Sequence, residues 1–338
     1  MITVAINGFG RIGRRVFRLI EDRKDMEVVA INDLADSKTL AHLLKYDSIH
    51  GIFHKQISSE PDSIVVNNRK IPLLNEKHPK NIDWKPFDVD FVIEATGKFK
   101  TSKELKFHID NGCKRVILSV PPIEDDIKTV VIGVNDDSLD GSEMIISNAS
   151  CTTNNAAPMI DVINRLCKIK QAYITTIHSY TTDQSLHDQP HKDLRRARAA
   201  GQSIVPTTTG AAKALTKIFP ELSDVIGGCG IRVPVANGSL TDITFNVVDP
   251  VSIEAINSAF KHASQTYLNG ILEYMEDPIV SIDIVGNSHS CIFDSQMTSV
   301  IGNMVKILGW YDNETGYSSR ILDLICNLSD KTAPLSNK

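Results

Sequence analysis

The run Asn148-Ala149-Ser150-Cys151-Thr152-Thr153-Asn154 leads straight into Ala156 to Ile163, a helical pattern, so Cys151 sits near a helix N-terminus. The partial positive charge there stabilises a thiolate and makes the sulfur nucleophilic near neutral pH. Serine and threonine around it supply a cap and short donors. A second apolar run, Ala172 to Ile177, reads as a strand and delivers His178, followed by Ser179-Tyr180-Thr181. A cysteine and a histidine at adjacent strand ends make a nucleophile and its base. The plainer reading of Cys151 is a buried thiol beside an N-cap cluster. Its place at the expected domain boundary, where clefts form, and the delivery of His178 favour chemistry. The other cysteines, Cys113, Cys167, Cys229, Cys291 and Cys326, are dispersed, with no C-x-x-C pair, so neither a disulfide framework nor a structural metal is expected.

A second chemistry-bearing run opens the chain. Thr3 to Ile6 is short, apolar and β-branched, Asn7-Gly8-Phe9-Gly10-Arg11-Ile12-Gly13 follows, and Val16, Phe17, Leu19 and Ile20 then recur at helical spacing. Glu27 to Asn32 is a further strand pattern ending on Asp33, 20 residues after Gly13. Gly8 permits a tight turn, Gly10 lets the backbone approach a pyrophosphate, and Gly13 lets the helix pack close to the strand. The helix start offers unpaired N–H groups to phosphates. Asp33 would accept from an adenosine ribose diol and repel a 2'-phosphate, so NAD is expected rather than NADP. A structural turn is the alternative, and the strand before, the helix after and the acid at its distance argue against it.

These sites need a scaffold. Asp90 to Ala95, Arg115 to Ser119, Val130 to Val134 and Met144 to Ser147 read as further parallel strands, with a helix over Lys103 to Asn111, which predicts a doubly wound sheet. Ligands in such sheets sit beyond the carboxyl ends of the strands, so Ala95-Thr96-Gly97 and Ser119-Val120-Pro121 are candidates to line a cofactor cleft. The chain is long enough for two ordinary domains. Its net charge of −5 gives no global reason to bind nucleic acid, and no apolar stretch approaches membrane-spanning length or forms a signal segment, so a cytoplasmic protein is expected. Lys192 to Arg198 is basic, but reads as a solvated loop. His187 and His191, like His50 and His54, lack carboxylate or cysteine company, and no metal site is expected.

The chain resembles the glyceraldehyde-3-phosphate dehydrogenase family. The resemblance rests on Asn7 to Gly13, Ser147 to Asn154, Thr175 to Thr181, Pro206-Thr207-Thr208-Thr209-Gly210-Ala211-Ala212-Lys213, Ile231-Arg232-Val233-Pro234 and Trp310 to Ser318, in order and nearly end to end. It implies an α/β chain: an N-terminal Rossmann doubly wound parallel sheet over residues 1–150, completed by a C-terminal helix over 316–338, and an α+β catalytic domain over 151–315 with a mainly antiparallel sheet. It implies oxidation of glyceraldehyde 3-phosphate to 1,3-bisphosphoglycerate with NAD, by way of a thiohemiacetal and a thioester on Cys151 that inorganic phosphate resolves, with His178 as base. Thr181 and Arg232, with Arg196, would clamp the substrate phosphate. Ser150, Thr152, Thr209 and Gly210 would hold the attacking phosphate, since hydroxyls, amides and arginine suit anions. Gly8, Gly10, Arg11, Ile12, Gly13, Asp33, Lys77, Thr96, Gly97, Ser119 and Asn313 form the expected cofactor set, with Asn313 fixing the nicotinamide carboxamide. Family members are homotetramers.

The family pattern is broken at Asn155, where members usually carry a second cysteine, so altered redox sensitivity is expected rather than altered turnover. Gln189, the stretch Val235-Ala236-Asn237-Gly238 and the pair Pro121-Pro122 also depart from it. The nearest rival is the sister enzyme erythrose-4-phosphate dehydrogenase, which lacks the threonine-glycine anion site of Thr207 to Gly210 and hydrolyses its thioester with water. A catalytically idle binding relative is the other; Cys151, His178 and Arg232 together argue against it.

Overall fold

The computed structural model describes residues 1–332, in two compact units. One comprises Met1–Val130, Asp137–Ala149 and the residues from Ser318 on; the other comprises Val131–Asp136 and Ser150–Tyr317.

In the first unit β1 (Ile2–Asn7), α1 (Arg11–Ile20) and β2 (Met26–Asn32) make a parallel strand–helix–strand motif. Next come α2 (Ser37–Lys45), the small hairpin β3 (Tyr46–Asp47) and β4 (Gly51–Ile52), and the meander β5 (Ile57–Glu60), β6 (Ser63–Val66) and β7 (Arg69–Leu74). β8 (Phe91–Glu94), α3 (Ser102–Asp110), β9 (Arg115–Leu118), β10 (Lys128–Thr129) and β11 (Ile145–Ser147) complete a nine-stranded sheet in the order β10-β11-β9-β8-β1-β2-β7-β6-β5. The pairs from β10 to β7 are parallel, and their middle strands are near-continuous apolar runs, as strands buried on both faces require. Val4, Ala5, Ile6, Val92 and Ile93 are fully buried. A capping box between Thr101 and Glu104 starts α3. Arg18 on α1 closes α2 by donating to the Leu44 carbonyl at 2.7 Å.

The apolar run Val130 to Val134, expected as a strand, is a turn beyond β10. Asn135 accepts from the Val131 N–H at 2.8 Å and Asp136 from the Gly133 N–H at 2.7 Å, and these side-chain caps replace a strand ladder. β-Branched composition alone could not reveal them.

The second unit opens with α4 (Cys151–Leu166), then β12 (Ile169–Ser179), β13 (Val205–Thr207), α5 (Ala211–Ile218), β14 (Ile226–Val233) and β15 (Ser239–Val247). α6 (Ile253–Gln265), β16 (Leu272–Met275), β17 (Cys291–Asp294), β18 (Ser299–Ile301) and β19 (Met304–Tyr311) follow. The sheet runs β13-β14-β12-β15-β19-β17-β16 and is mainly antiparallel, with β12–β14 and β16–β17 parallel. β15 alternates buried and half-buried residues along its whole length, the period-two signature of a sheet with one covered face. α7 (Thr315–Thr332) ends the described chain; residues 333–338 of the helix expected there lie outside the described residues.

Candidate functional site

In the second unit the nucleophile is placed by a helix start. Ser150 caps α4, accepting from the Thr153 N–H at 3.1 Å, and Cys151 is the first helical residue. His178 lies near the end of β12, in parallel register with Arg232 of β14. Cys151 Sγ is 3.4 Å from His178 Nε2. On the other side of the ring, Nδ1 is 2.7 Å from the Ser179 carbonyl oxygen and 2.7 Å from Arg232 Nη1. Burial pushes the His178 imidazolium down to about 3, and the Arg232 charge reinforces it, so the ring is neutral. Burial pushes the Cys151 thiol up, while Arg232 and the Thr152 contacts pull it down. The resting pair is therefore a thiol beside a neutral imidazole rather than an ion pair. Burial drives the Cys113 thiol up to about 12.

Tyr311, at the end of β19, is a part of this centre that the sequence did not single out. Its hydroxyl meets Thr152 Oγ1 at 2.9 Å and Thr176 Oγ1 at 3.0 Å, and its ring stands edge-on to His178. The Thr152 hydroxyl is thus engaged by Tyr311. Arg232 directs its guanidinium at a neutral ring and at the Ser179 carbonyl, which leaves its charge available to an anion. Arg196 differs: it pairs with Asp183 and donates to Thr207 Oγ1 at 3.0 Å. Thr181 is half-buried and follows β12 in the chain by two residues. Thr209 Oγ1 accepts from the Ala211 N–H, the first of α5, at 3.2 Å, and the N-cap residue Gly210 adds no side chain of its own. Asn313 Oδ1 accepts from Ser179 Oγ and Ser239 Oγ, both at 2.9 Å, which leaves Nδ2 as its donor.

In the first unit a cavity of about 330 Å³ lies at the carboxyl ends of the parallel strands, lined by Gly8, Gly10, Asp33, Lys77 and Thr96 among others. Gly8 has φ +95°, and a side chain there would meet the Thr96 nitrogen at 2.7 Å; a Cβ on Gly13 would collide with the Gly8 carbonyl oxygen. Gly10 faces open space and caps α1 with no side chain over its first N–H groups. The Asp33 carboxylate is pinned by the Phe9 N–H at 2.7 Å and the Ala35 N–H at 3.0 Å. A bare helix start, an open glycine and a fixed acid fit a diphosphate followed by a ribose diol. Arg11 is turned elsewhere, forked onto Asp47 at 2.6 and 3.1 Å, so only its backbone and that of Ile12 belong to the helix start. Gly97 and Ser119 do not line the cavity; Ser119 is buried and bonds the Glu94 carbonyl through its N–H.

Two departures have structural partners. Asn155 donates to the Trp310 carbonyl at 3.1 Å and to that of Ser290 at 3.3 Å, tying α4 to β19. Gly238 has φ +89° and packs against the Ser281 carbonyl, where no side chain fits. His191 Nδ1 accepts from the Asp193 N–H at 2.9 Å and its Nε2 lies 3.5 Å from Asp183, a carboxylate that the local sequence did not place beside it. Among the described residues no group of three or more His, Cys, Asp or Glu could hold a metal, and no helix is long and apolar enough to cross a membrane.

Residues 2–102 match the family model described as glyceraldehyde 3-phosphate dehydrogenase, NAD binding domain, and residues 150–313 match that of its C-terminal domain. Glyceraldehyde-3-phosphate dehydrogenase 1 of Bacillus cereus is 48% identical over 98% of this chain and 99% of its own length. Glyceraldehyde-3-phosphate dehydrogenase 2 of Bacillus subtilis is 49% identical over 96% of each chain, and the glyceraldehyde-3-phosphate dehydrogenase of Mycobacterium avium is 51% identical over 96% of this chain and 97% of its own. By these matches, which cover both units, the chain belongs to the glyceraldehyde-3-phosphate dehydrogenase family.

Proposed function

We propose that the chain is an NAD-dependent oxidoreductase that converts glyceraldehyde 3-phosphate and inorganic phosphate to 1,3-bisphosphoglycerate. The observation that carries this reading is the Cys151 Sγ to His178 Nε2 contact of 3.4 Å at the start of α4, backed by Arg232. The first unit would serve as the dinucleotide domain, holding NAD through the Gly8 to Gly13 turn, Asp33, Lys77 and Thr96; in the second unit, Asn313 keeps Nδ2 as a donor suited to a carboxamide. When bound, NAD accepts a hydride.

The second unit's residues do the rest. Cys151 Sγ bonds to the aldehyde carbon and the aldehyde oxygen takes a proton, giving a thiohemiacetal. His178 removes that hydroxyl proton as the hydride departs, which leaves a thioester. A phosphate oxygen then bonds to the acyl carbon, the sulfur–carbon bond breaks, and the thiol is restored. For Nε2 to take a proton, Nδ1 must carry the ring hydrogen and donate to Ser179. While Arg232 donates to Nδ1, the hydrogen sits on Nε2 and faces sulfur. A substrate phosphate drawing Arg232 off the ring would switch the tautomer and arm the base. Thr181 supports this clamp, and Thr209 with the start of α5 supports a second anion site. Ser150 and Thr152 support it less, since their hydroxyls bond Thr153 and Tyr311. Arg196, paired with Asp183, would orient the loop before it touched substrate. Action in the cytoplasm as a homotetramer is part of the same reading.

Initial NADH formation from glyceraldehyde 3-phosphate, with and without inorganic phosphate, tests it, with NADP and erythrose 4-phosphate in parallel. Strong phosphate dependence with NAD is expected. Phosphate-independent turnover, or preference for the four-carbon sugar, would move the assignment to erythrose-4-phosphate dehydrogenase.

A further inference from the structure

Glu94, at the end of β8, is fully buried, as are His108 and Trp84. Its Oε1 accepts from the Thr96 N–H at 2.9 Å and from the Thr96 hydroxyl; its Oε2 lies 2.5 Å from Asn7 Nδ2 and 3.2 Å from His108 Nε2. The direction of every bond in this network is dictated from its ends. The Trp84 indole N–H can only donate, and it meets His108 Nδ1 at 3.0 Å, so the ring hydrogen is on Nε2 and points at Glu94. At the other end the Glu76 N–H donates to Asn32 Oδ1 at 2.8 Å. Asn32 Nδ2 therefore donates to Asn7 Oδ1 at 2.7 Å, and Asn7 Nδ2 is left to donate to Glu94. Four donors converge on one carboxylate that no solvent reaches. The chain of bonds fastens together the ends of β1, β2 and β8, and Asn7, Asn32, Glu76 and Thr96 all line the cavity.

We propose that Glu94 is a positioning residue for the dinucleotide: as the acceptor on which the chain of bonds joining three strand ends terminates, it holds the floor of the cavity in the shape that the adenosine diphosphate half requires. This rests on the reading of that cavity as the NAD site. A glutamine of the same shape cannot replace it. Whichever way its amide turns, the NH₂ meets donors, and buried N–H groups are left unpaired. His108 acts through its polarity and not its bulk, because a glutamine there can accept from Trp84 and donate to Glu94, whereas a leucine can do neither.

Calorimetric titration of NAD and of ADP-ribose into the wild type, E94Q, H108Q, H108L and D33A tests the proposal, with circular dichroism as the check on folding. Glu94→Gln should weaken both ligands by the same factor, on the order of tenfold or more, with kcat at saturating NAD within about twofold of wild type. His108→Leu should weaken ADP-ribose several-fold and His108→Gln should retain its affinity. A folded E94Q protein that binds ADP-ribose normally would overturn the proposal, as would H108L and H108Q proteins that bind alike. Were E94Q not to fold, the two His108 variants decide. D33A separates the two levels: if it leaves ADP-ribose affinity untouched, the cavity reading fails and the proposal with it. If D33A weakens binding and E94Q does not, only the role given to Glu94 falls.

Discussion

Nδ1 of His178 has one acceptor and one donor at the same 2.7 Å, Ser179 O and Arg232 Nη1, and it cannot satisfy both. The arginine therefore does two things to the reacting pair: it holds the ring in the tautomer that is no base, and it lends positive charge to the thiolate. Arg232→Gln removes the charge. The thiolate loses its nearest cation, so the Cys151 pKa must rise, while His178 must rise from about 3 because its like-charged neighbour is gone. The pH profile of Cys151 alkylation by iodoacetamide should move to higher pH, with the Cys151→Ala protein as blank. kcat/KM for the phosphorylated aldehyde should fall on the order of a hundredfold through the lost anion contact. An alkylation profile that superimposes on that of the wild type would show that Arg232 does not act on the pair.

Elements carry the second kind of control. α1 and the β3–β4 hairpin are joined where Arg11 forks onto Asp47, whose carboxylate also accepts from the Ile49 and His50 N–H groups, both at 2.9 Å. Burial alone would push the Asp47 carboxyl up, but Arg11 and the two N–H groups outweigh it and hold it well below the usual carboxylate range. A carboxyl whose folded pKa is depressed contributes stability that is present above its unfolded value of about 4 and lost as pH falls through the folded one. Asp47→Asn should therefore lower stability at pH 7 by about 1 kcal/mol, since solvent screens the partly exposed pair, and the gap should narrow as pH falls below about 4. Urea melts of both proteins at pH 7 and pH 3 check this; a gap of equal size at both would discount the ion pair. Which elements were legible in the sequence follows from the same physics. The Gly8 to Gly13 turn, α1 and Asp33 announce themselves because periodicity and glycine spacing are local. The start of α4 was legible for the same reason, and so was the delivery of His178 by β12. The pairing of His178 with Arg232, the placing of Tyr311 and the reach of Asn7, and through it Asn32, to Glu94 depend on sheet register, which joins residues tens to more than a hundred positions apart. Arg11 reads as part of a phosphate site until α2 and its hairpin supply Asp47. Glu94 did leave one trace, an acid in an otherwise apolar strand, but nothing local says what it receives.

At the scale of the molecule, the first unit is assembled from three separate pieces of chain, the last of them α7. Ile321, Leu324, Ile325 and Leu328 recur at the spacing of one helix face and are all fully buried. Arg23 Nη2 meets Cys326 Sγ at 3.1 Å, and Lys331 Nζ donates to the Leu139 carbonyl at 2.6 Å, so the helix is tied both to the turn after α1 and to the segment before β11. The unit that offers the dinucleotide cavity is consequently not complete until the chain is almost finished. Leu324→Ala, far in sequence from every cofactor residue, should destabilise that unit by about 2–5 kcal/mol through the cavity it leaves. Because a ligand that binds only the folded state adds stability by mass action, ADP-ribose at a hundred times its Kd should return about 2.7 kcal/mol of this. Thermal melts of the variant with and without ADP-ribose measure both quantities. A melt identical to the wild type would mean that α7 is not part of the first unit's core; a large loss that ADP-ribose does not offset would mean that the helix stabilises the molecule somewhere other than the unit that binds the dinucleotide.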